Sequence, residues 1–373
     1  MSANLLRYSD SYLSIDLDAI AYNWRHIDGL SGPNVTTAAM VKADGYGLGA
    51  NRVGLALAAA GCTRFFVATI SEAIALRQMF DHTRYDESRI MVLHGVNRGE
   101  ESDFHATRLI PVLNDLEQIA RWKLFASKLG QPLSALLHFD TGMNRLGLDS
   151  LQTDWLIENP DSLDGLDVEY LMSHLISGEI ADDPKNMVQL EKFRGICGCL
   201  GGIPASLANS AGVFLGPDYH FHMTRPGIAL YGVHPSRCKD AQLKPTLSWN
   251  ARIIQIRTAS AGETVGYNGT CRLTRGSRIA TLGVGYADGY RRQLGNLATV
   301  QIGKSFAPVI GRVSMDSITV DVTNLEPDDL CAETAALIHS QYSLYQMAVD
   351  ADTIVYEILT RLGRRPARYY YGQ

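Results

Sequence analysis

Ala38-Ala39-Met40-Val41-Lys42-Ala43-Asp44-Gly45-Tyr46-Gly47-Leu48-Gly49 is the stretch from which the fold is read. The apolar run 35–41, bounded by glycines, reads as a buried strand. It ends on a single lysine and drops into a turn containing three glycines and a tyrosine. In parallel α/β folds, sites are built at the carboxyl ends of strands. A partly desolvated lysine at such an end loses its proton and can attack a carbonyl. Taken alone, the stretch is better described as a solvated strand-end lysine; the other strand ends decide.

Outward from this stretch, short apolar runs alternate with helical patterns. Residues 12–17 read as a strand, with Asp18 as cap of a helix over 19–30. An alanine-rich helix over 52–60 is closed by Gly61, the usual residue past a helix end. Strands are expected at 64–69, 89–93, 108–113, 134–139, 168–172 and 206–208, with helices at 71–80, 115–129, 151–158 and 186–200. Thr224-Arg225-Pro226-Gly227-Ile228 closes the series. Strand–helix alternation repeated about eight times predicts a (β/α)8 TIM-like barrel, typically about 250 residues long. No G-x-G-x-x-G follows the first strand, which argues against a doubly wound sheet.

The texture changes near 236–245, where Pro235, Cys238-Lys239-Asp240 and Pro245 suggest a linker. Beyond it, 247–257, 278–284, 298–302, 305–310 and 317–322 are β-branched, alternating runs separated by glycine turns. The sequence therefore predicts a barrel domain over 1–238 and a mostly-β domain over 239–373. A helical stretch at 352–362 and an aromatic tail, Tyr369-Tyr370-Tyr371, end the chain.

The 373 residues are 46% apolar and 20% charged with a net charge of −5, the balance of a globular protein with a sizeable core. No basic stripe follows the chain, and Arg364-Arg365-Pro366-Ala367-Arg368 reads as a solvated tail, so nucleic acid is excluded as a partner. Residues 1–10 lack a secretory signal, and no run of about 18 apolar residues exists to span a bilayer. Cys62, Cys197, Cys199, Cys238, Cys271 and Cys331 are scattered without zinc-ligand spacing, which reads as reduced thiols in a cytoplasmic protein.

Unusual polar residues fall at successive strand ends: Lys42, Arg145, His174, Asn209 with Ser210, and Arg225. A barrel brings such ends to one face. The set lacks a carboxylate cluster or a multi-histidine pattern, so a catalytic metal is disfavoured. Asn209-Ser210 and Gly227-Ile228 follow the seventh and eighth strands, where barrels commonly hold phosphate through backbone N–H and hydroxyl groups. A Schiff-base lysine with a phosphate cup points to pyridoxal 5′-phosphate (PLP).

With these residues in place, the sequence resembles the alanine racemases, the barrel-type PLP enzymes, over essentially its whole length. The blocks that carry the likeness occur in order. They are Val41-Lys42-Ala43-Asp44-Gly45-Tyr46-Gly47, Asp140-Thr141-Gly142-Met143-Asn144-Arg145-Leu146-Gly147, Asn209-Ser210-Ala211, Arg225-Pro226-Gly227-Ile228-Ala229-Leu230-Tyr231-Gly232, Gly285-Tyr286-Ala287-Asp288-Gly289 and Gly311-Arg312-Val313-Ser314-Met315-Asp316.

The resemblance implies that Lys42 holds PLP and is one acid–base, and that Tyr267 is the second, donated by the other subunit of a homodimer. It implies Arg225 at the pyridine nitrogen, where a guanidinium donates a hydrogen bond without protonating the ring. Tyr46, Ser210, Gly227, Ile228 and Tyr356 would hold the phosphate, beside Asn209. Arg145 and the Met315 backbone would orient the substrate carboxylate, with Met315 again from the partner. His174 would support Tyr267 and Arg225 and, with Arg145, lend the positive charge that a tyrosine base needs. Tyr286 and Asp316 would narrow the entrance. Without the likeness, Tyr267, Tyr356 and Met315 read as ordinary packed residues.

Two departures stand out. His138 occupies the position where the family often has a lysine modified to a carbamate, and Leu175-Ile176-Ser177-Gly178-Glu179 differs from the usual small residue and aspartate. The expected activity is racemisation of L- and D-alanine, with D-alanine biosynthesis for the cell wall as the implied role. Racemisation of serine or another small amino acid, a related barrel decarboxylase, and a PLP carrier without turnover are the alternatives.

Overall fold

The computed structural model describes residues 8–236 and 242–372. Two compact units emerge: Leu17–Pro245, and Thr246 onward combined with the segment that ends at Asp16. The expected linker residues Cys238-Lys239-Asp240, and with them the expected boundary at 238/239, lie outside the described residues.

In the Leu17–Pro245 unit, a seven-stranded parallel sheet runs in chain order through Ala39–Met40, Arg64–Val67, Arg89–Val92, Leu109–Leu113, Leu133–His138, Leu166–Met172 and Ala205–Ser206. Most of these strands are buried almost continuously, as at Leu109–Leu113 where all five residues are buried, the pattern of a parallel sheet covered on both faces. The helices begin where side chains satisfy their first N–H groups. Thr69 and Glu72 form a capping box on Ile70–Phe80, and Asp115 accepts the Gln118 N–H of Leu116–Leu129. Ala50–Ala60 ends at Gly61 in the left-handed region (φ 119°).

Met223–Thr224 pairs in parallel with Thr36–Thr37. Backbone bonds from Arg225 N–H to Ala208 O (2.9 Å), Ala38 N–H to Thr224 O (2.9 Å) and Met40 N–H to Pro226 O (3.0 Å) link the end of the series to its start.

The strand expected at 12–17 does not join this sheet. Ser11–Asp16 lies in the other unit, antiparallel to Leu247–Ala259 and parallel to Ala367–Tyr371. Its alternating buried and half-buried residues suit a sheet with one face covered, unlike the continuous burial of the parallel strands. The following helix begins at Leu17, so Asp18 sits in its first turn, a favourable place for a carboxylate, rather than at its cap.

That other unit is an eight-stranded, mostly antiparallel sheet in the order Ser277–Leu282, Ile318–Asp321, Ser305–Ile310, Thr299–Ile302, Thr334–Ala336, Leu247–Ala259, Ser11–Asp16 and Ala367–Tyr371. The long strand Leu247–Ala259 turns the corner at an irregularity between Ile253 and Gln255, and its second half pairs with Ser277–Leu282. The helix expected at 352–362 is the shorter Val355–Thr360; a second short helix, Leu344–Asp350, precedes it where the sequence reading expected none, and the aromatic tail is an edge strand. Among the described residues no helix is long and apolar enough to cross a membrane.

Candidate active site

Lys42 stands at the start of a left-handed turn. Ala43, Asp44, Gly45 and Tyr46 have φ of 52°, 54°, 62° and 56°. Each non-glycine residue there costs about 1–2 kcal/mol, so neighbours must hold the turn. The Ala43 N–H donates to Glu72 Oε1 (2.7 Å), the Ala50 N–H to Asp44 Oδ1 (2.8 Å), and the Gly45 N–H to Val41 O (2.8 Å). Glu72 Oε2 also accepts the Ala68 N–H (2.8 Å), so one carboxylate ties the ends of two adjacent strands. The turn sends Lys42, half-buried, and Tyr46, buried, out of one short segment.

Tyr46, Ser210 and Gly227 meet. A Cβ at Gly227 would lie 2.2 Å from the Tyr46 hydroxyl, so only glycine fits. The Ser210 Oγ accepts the N–H groups of Gly227 (2.7 Å) and Ala229 (3.3 Å), and the Asn209 side chain accepts the Gly212 N–H (2.9 Å). The Tyr46 ring stacks on Tyr231 at 4.6 Å, and the Tyr231 hydroxyl donates to Met40 O (3.0 Å). Ile228 opens the short helical turn Ile228–Tyr231 and is buried. Hydroxyls and backbone N–H groups from segments far apart in sequence thus form one small polar cup.

Beside it lies a set of cationic and imidazole groups. The Arg225 guanidinium is buried and donates to the Ser206 hydroxyl, to Ser173 O (2.6 Å) and to Leu207 O (3.4 Å). Burial brings its pKa down to about 9, which leaves it charged at neutral pH. Burial and the Arg145 charge push the Lys42 amine down, against an opposing pull from Glu72. Arg145 itself is exposed, on the loop after Asp140 that returns through the Leu148 N–H to His138 O bond (2.8 Å).

His174 corrects the sequence reading. Burial first, then Arg225, Arg145, Lys42 and His138, hold its imidazole well below the usual range, so it is neutral and lends no positive charge to a tyrosine base. Its Nε2 faces the Asn209 amide at 3.5 Å.

His138 is also neutral, pushed down to about 4 by burial and by Arg225 and Arg145. The Asn114 amide spends its hydrogens on Leu93 O (3.0 Å) and Val112 O (2.8 Å), which leaves its oxygen 2.8 Å from His138 Nδ1. That oxygen can only accept, so the ring carries its proton on Nδ1.

The remaining expected residues belong to the β unit. Tyr267 follows Gly266 in a short turn and is 67% exposed. Gly266 packs against Arg312 (a Cβ would be 3.1 Å from its nitrogen), while Tyr286 N–H donates to Ser314 O (3.0 Å) and Ala287 N–H to Met315 O (3.1 Å). The segments bearing Tyr267, Tyr286 and Met315 are therefore neighbours. Asp316 is exposed and bonded by Arg365 (2.5 Å). Tyr356 lies half-buried on the helix Val355–Thr360.

Sequence reasoning missed Glu72, Asn114, Ser173, Ser206 and Arg365. Glu72 falls in the first turn of the helix expected at 71–80, where a carboxylate needs no further reason. Asn114, at the end of the strand Leu109–Leu113, carried the same strand-end signal as Asn209.

The family model "Alanine racemase, N-terminal domain" matches residues 15–235, and "Alanine racemase, C-terminal domain" matches 246–370. An alanine racemase of Brucella canis is 44% identical, with 96% of this chain and 93% of that protein covered. A catabolic alanine racemase of Agrobacterium fabrum is 42% identical, with 97% and 92% covered. The crystal structure of alanine racemase from Bartonella henselae with covalently bound pyridoxal phosphate superposes with a TM-score of 0.92 at 37% identity, covering 97% of this chain and 100% of that one. Matched in both domains and over nearly its full length, this chain belongs to the alanine racemase family.

Proposed function

We propose that this protein is a PLP-dependent racemase of alanine. The observation that carries the reading is the Tyr46–Ser210–Gly227 cup beside the Lys42 amine and the buried Arg225 guanidinium, in a chain of this family. These residues fit the cofactor. The cup offers hydroxyls and backbone N–H groups where an added Cβ would collide, and Lys42 has the depressed pKa suited to a carbonyl partner. Lys42 would hold PLP, Tyr46, Asn209, Ser210, Gly227, Ile228 and Tyr356 its phosphate, and Arg225 its ring nitrogen, with His174 alongside. When bound, PLP supplies an electron sink that acidifies the substrate Cα–H.

The chain's own groups supply the proton transfers. Racemisation needs an acid–base on each face of one carbon. We assign the Cα proton of D-alanine to the Lys42 amine and that of L-alanine to the Tyr267 phenol. Arg145 and the Met315 backbone orient the substrate carboxylate, and Tyr286 and Asp316 restrict the entrance. Tyr267, Tyr286 and Met315 are 67%, 44% and 53% exposed, which supports a homodimer in which they complete the partner's site.

The backbone bonds that tie Arg225 to Ala208 and Thr224 to Ala38 support closure of the parallel sheet into an eight-stranded (β/α)8 barrel. The barrel unit carries the cofactor groups other than Tyr356, and the β unit carries Tyr356 and the second acid–base. A cytoplasmic protein supplying D-alanine for the cell wall is the role consistent with this chemistry. A coupled assay for D-alanine formed from L-alanine tests the activity. PLP-dependent turnover in the wild type and none in Lys42→Ala is expected, and no turnover in the wild type rejects the reading.

A further inference from the structure

The basic run 364–368, which the sequence suggests is a solvated tail, is built into the β unit. Arg365 Nε and Nη2 donate to the two oxygens of Asp288 at 2.9 and 2.8 Å, the fork geometry that only an arginine makes on a carboxylate. Its Nη1 donates to Asp316 Oδ1 at 2.5 Å, and Nη2 also reaches Met315 O at 3.4 Å. Asp288 is 4% exposed and additionally accepts the Gly285 N–H (2.8 Å).

Around this pair three loops pack backbone against backbone. A Cβ at Gly285 would lie 2.2 Å from Met315 O, at Gly289 2.5 Å from Arg361 O, and at Gly363 2.8 Å from Ala287 O. The two peptide planes flanking Met315 are each fixed. Ser314 O, which shares a rigid plane with the Met315 N–H, accepts the Tyr286 N–H, and Met315 O accepts both the Ala287 N–H and Arg365. The direction of the Met315 N–H is therefore set by contacts that converge on Arg365 and Asp288.

We propose that Arg365 is a positioning residue of the racemase reaction: its fork on Asp288 and its reach to Asp316 and the Met315 carbonyl fix how the 314–316 turn and the Tyr286 turn meet the substrate. The inference rests on the reading that Met315 and Tyr286 serve the substrate. A plain surface ion pair contributes little to a fold. Here one partner is buried and the guanidinium also touches the carbonyl of a substrate-orienting residue.

The test uses the full-length, PLP-loaded protein. KM and kcat for alanine and the melting temperature are measured for the wild type, Arg365→Met, Arg365→Lys, and the double variant Arg365→Met with Asp288→Asn. Arg365→Met is expected to raise KM about tenfold with a smaller change in kcat, because a displaced carboxylate-binding group weakens substrate orientation. The double variant, which no longer buries an unpaired carboxylate, is expected to recover the melting temperature without recovering KM. Arg365→Lys, which keeps the charge and loses the fork, should fall between. Unchanged KM in folded variants, or KM recovered together with the melting temperature in the double variant, assigns Arg365 to stability alone and overturns the inference. A wild type that turns over no alanine overturns the functional reading instead, and this inference with it.

Discussion

Gly227 and Tyr46 are placed so closely that a single methyl group at Gly227 would overlap the tyrosine hydroxyl, 2.2 Å away. Their contact joins the turn after the first strand of the parallel sheet, Ala39–Met40, to the segment after Met223–Thr224. Gly227 has φ of −124°, outside the left-handed region, and the space that Tyr46 leaves is what demands glycine there.

Gly227→Ala should therefore act by overpacking. A loss of about 1–3 kcal/mol in stability is expected, together with weaker PLP binding as Tyr46 is pushed from the cup. Urea unfolding of the apoprotein and a cofactor titration measure the two effects separately. Unchanged PLP affinity would remove Gly227 from the cup.

Glu72 opposes the downward push on Lys42 while bonding the Ala43 N–H. Glu72→Gln keeps an oxygen for that N–H and removes the charge. The Lys42 pKa should fall further, and the acid limb of PLP capture by the apoprotein should move to lower pH. A shift to higher pH would contradict the assignment.

Acid stability should depend on His138. Its pKa falls from the ordinary value near 6.5 to about 4 on folding, so only the unfolded chain binds the proton between those values. The neutral ring's contribution is fully present above pH 6.5 and is lost as pH drops toward 4. It amounts to roughly 3 kcal/mol. His174 adds in the same direction. Urea midpoints across this window should slope less steeply in His138→Gln, which can still donate to Asn114; an identical slope would count against the buried neutral ring.

Tyr267→Phe removes one acid–base and leaves the other. Exchange of the L-alanine Cα proton with solvent should drop by about 10²–10⁴, with D-alanine exchange less affected. Equal losses for both enantiomers would contradict the division of faces between Lys42 and Tyr267.

Much of the site was legible because the fold class turns sequence position into spatial position. Lys42, Asn209, Ser210 and Arg225 read as strand ends; the structure sets Lys42 and Arg225 within electrostatic reach of His174, Asn209 beside that imidazole, and Ser210 on the Gly227 N–H. What escaped depends on distant partners. Ser11–Asp16 precedes a helix, as a barrel strand does, although its alternating Tyr12-Leu13-Ser14-Ile15 pattern suits an antiparallel sheet. Arg365 looked like part of a solvated tail because Asp288 lies 77 residues away in the chain. The neutrality of His174 follows from burial among cations, which no local pattern reveals.

The most direct test of the two-base PLP site is hydrogen exchange at Cα in deuterated water with the PLP-loaded wild type, comparing alanine, serine and lysine. Deuterium entering both enantiomers of alanine, starting from either one and faster than into serine or lysine, is the expected result. PLP held at Lys42 without any exchange into alanine would contradict it.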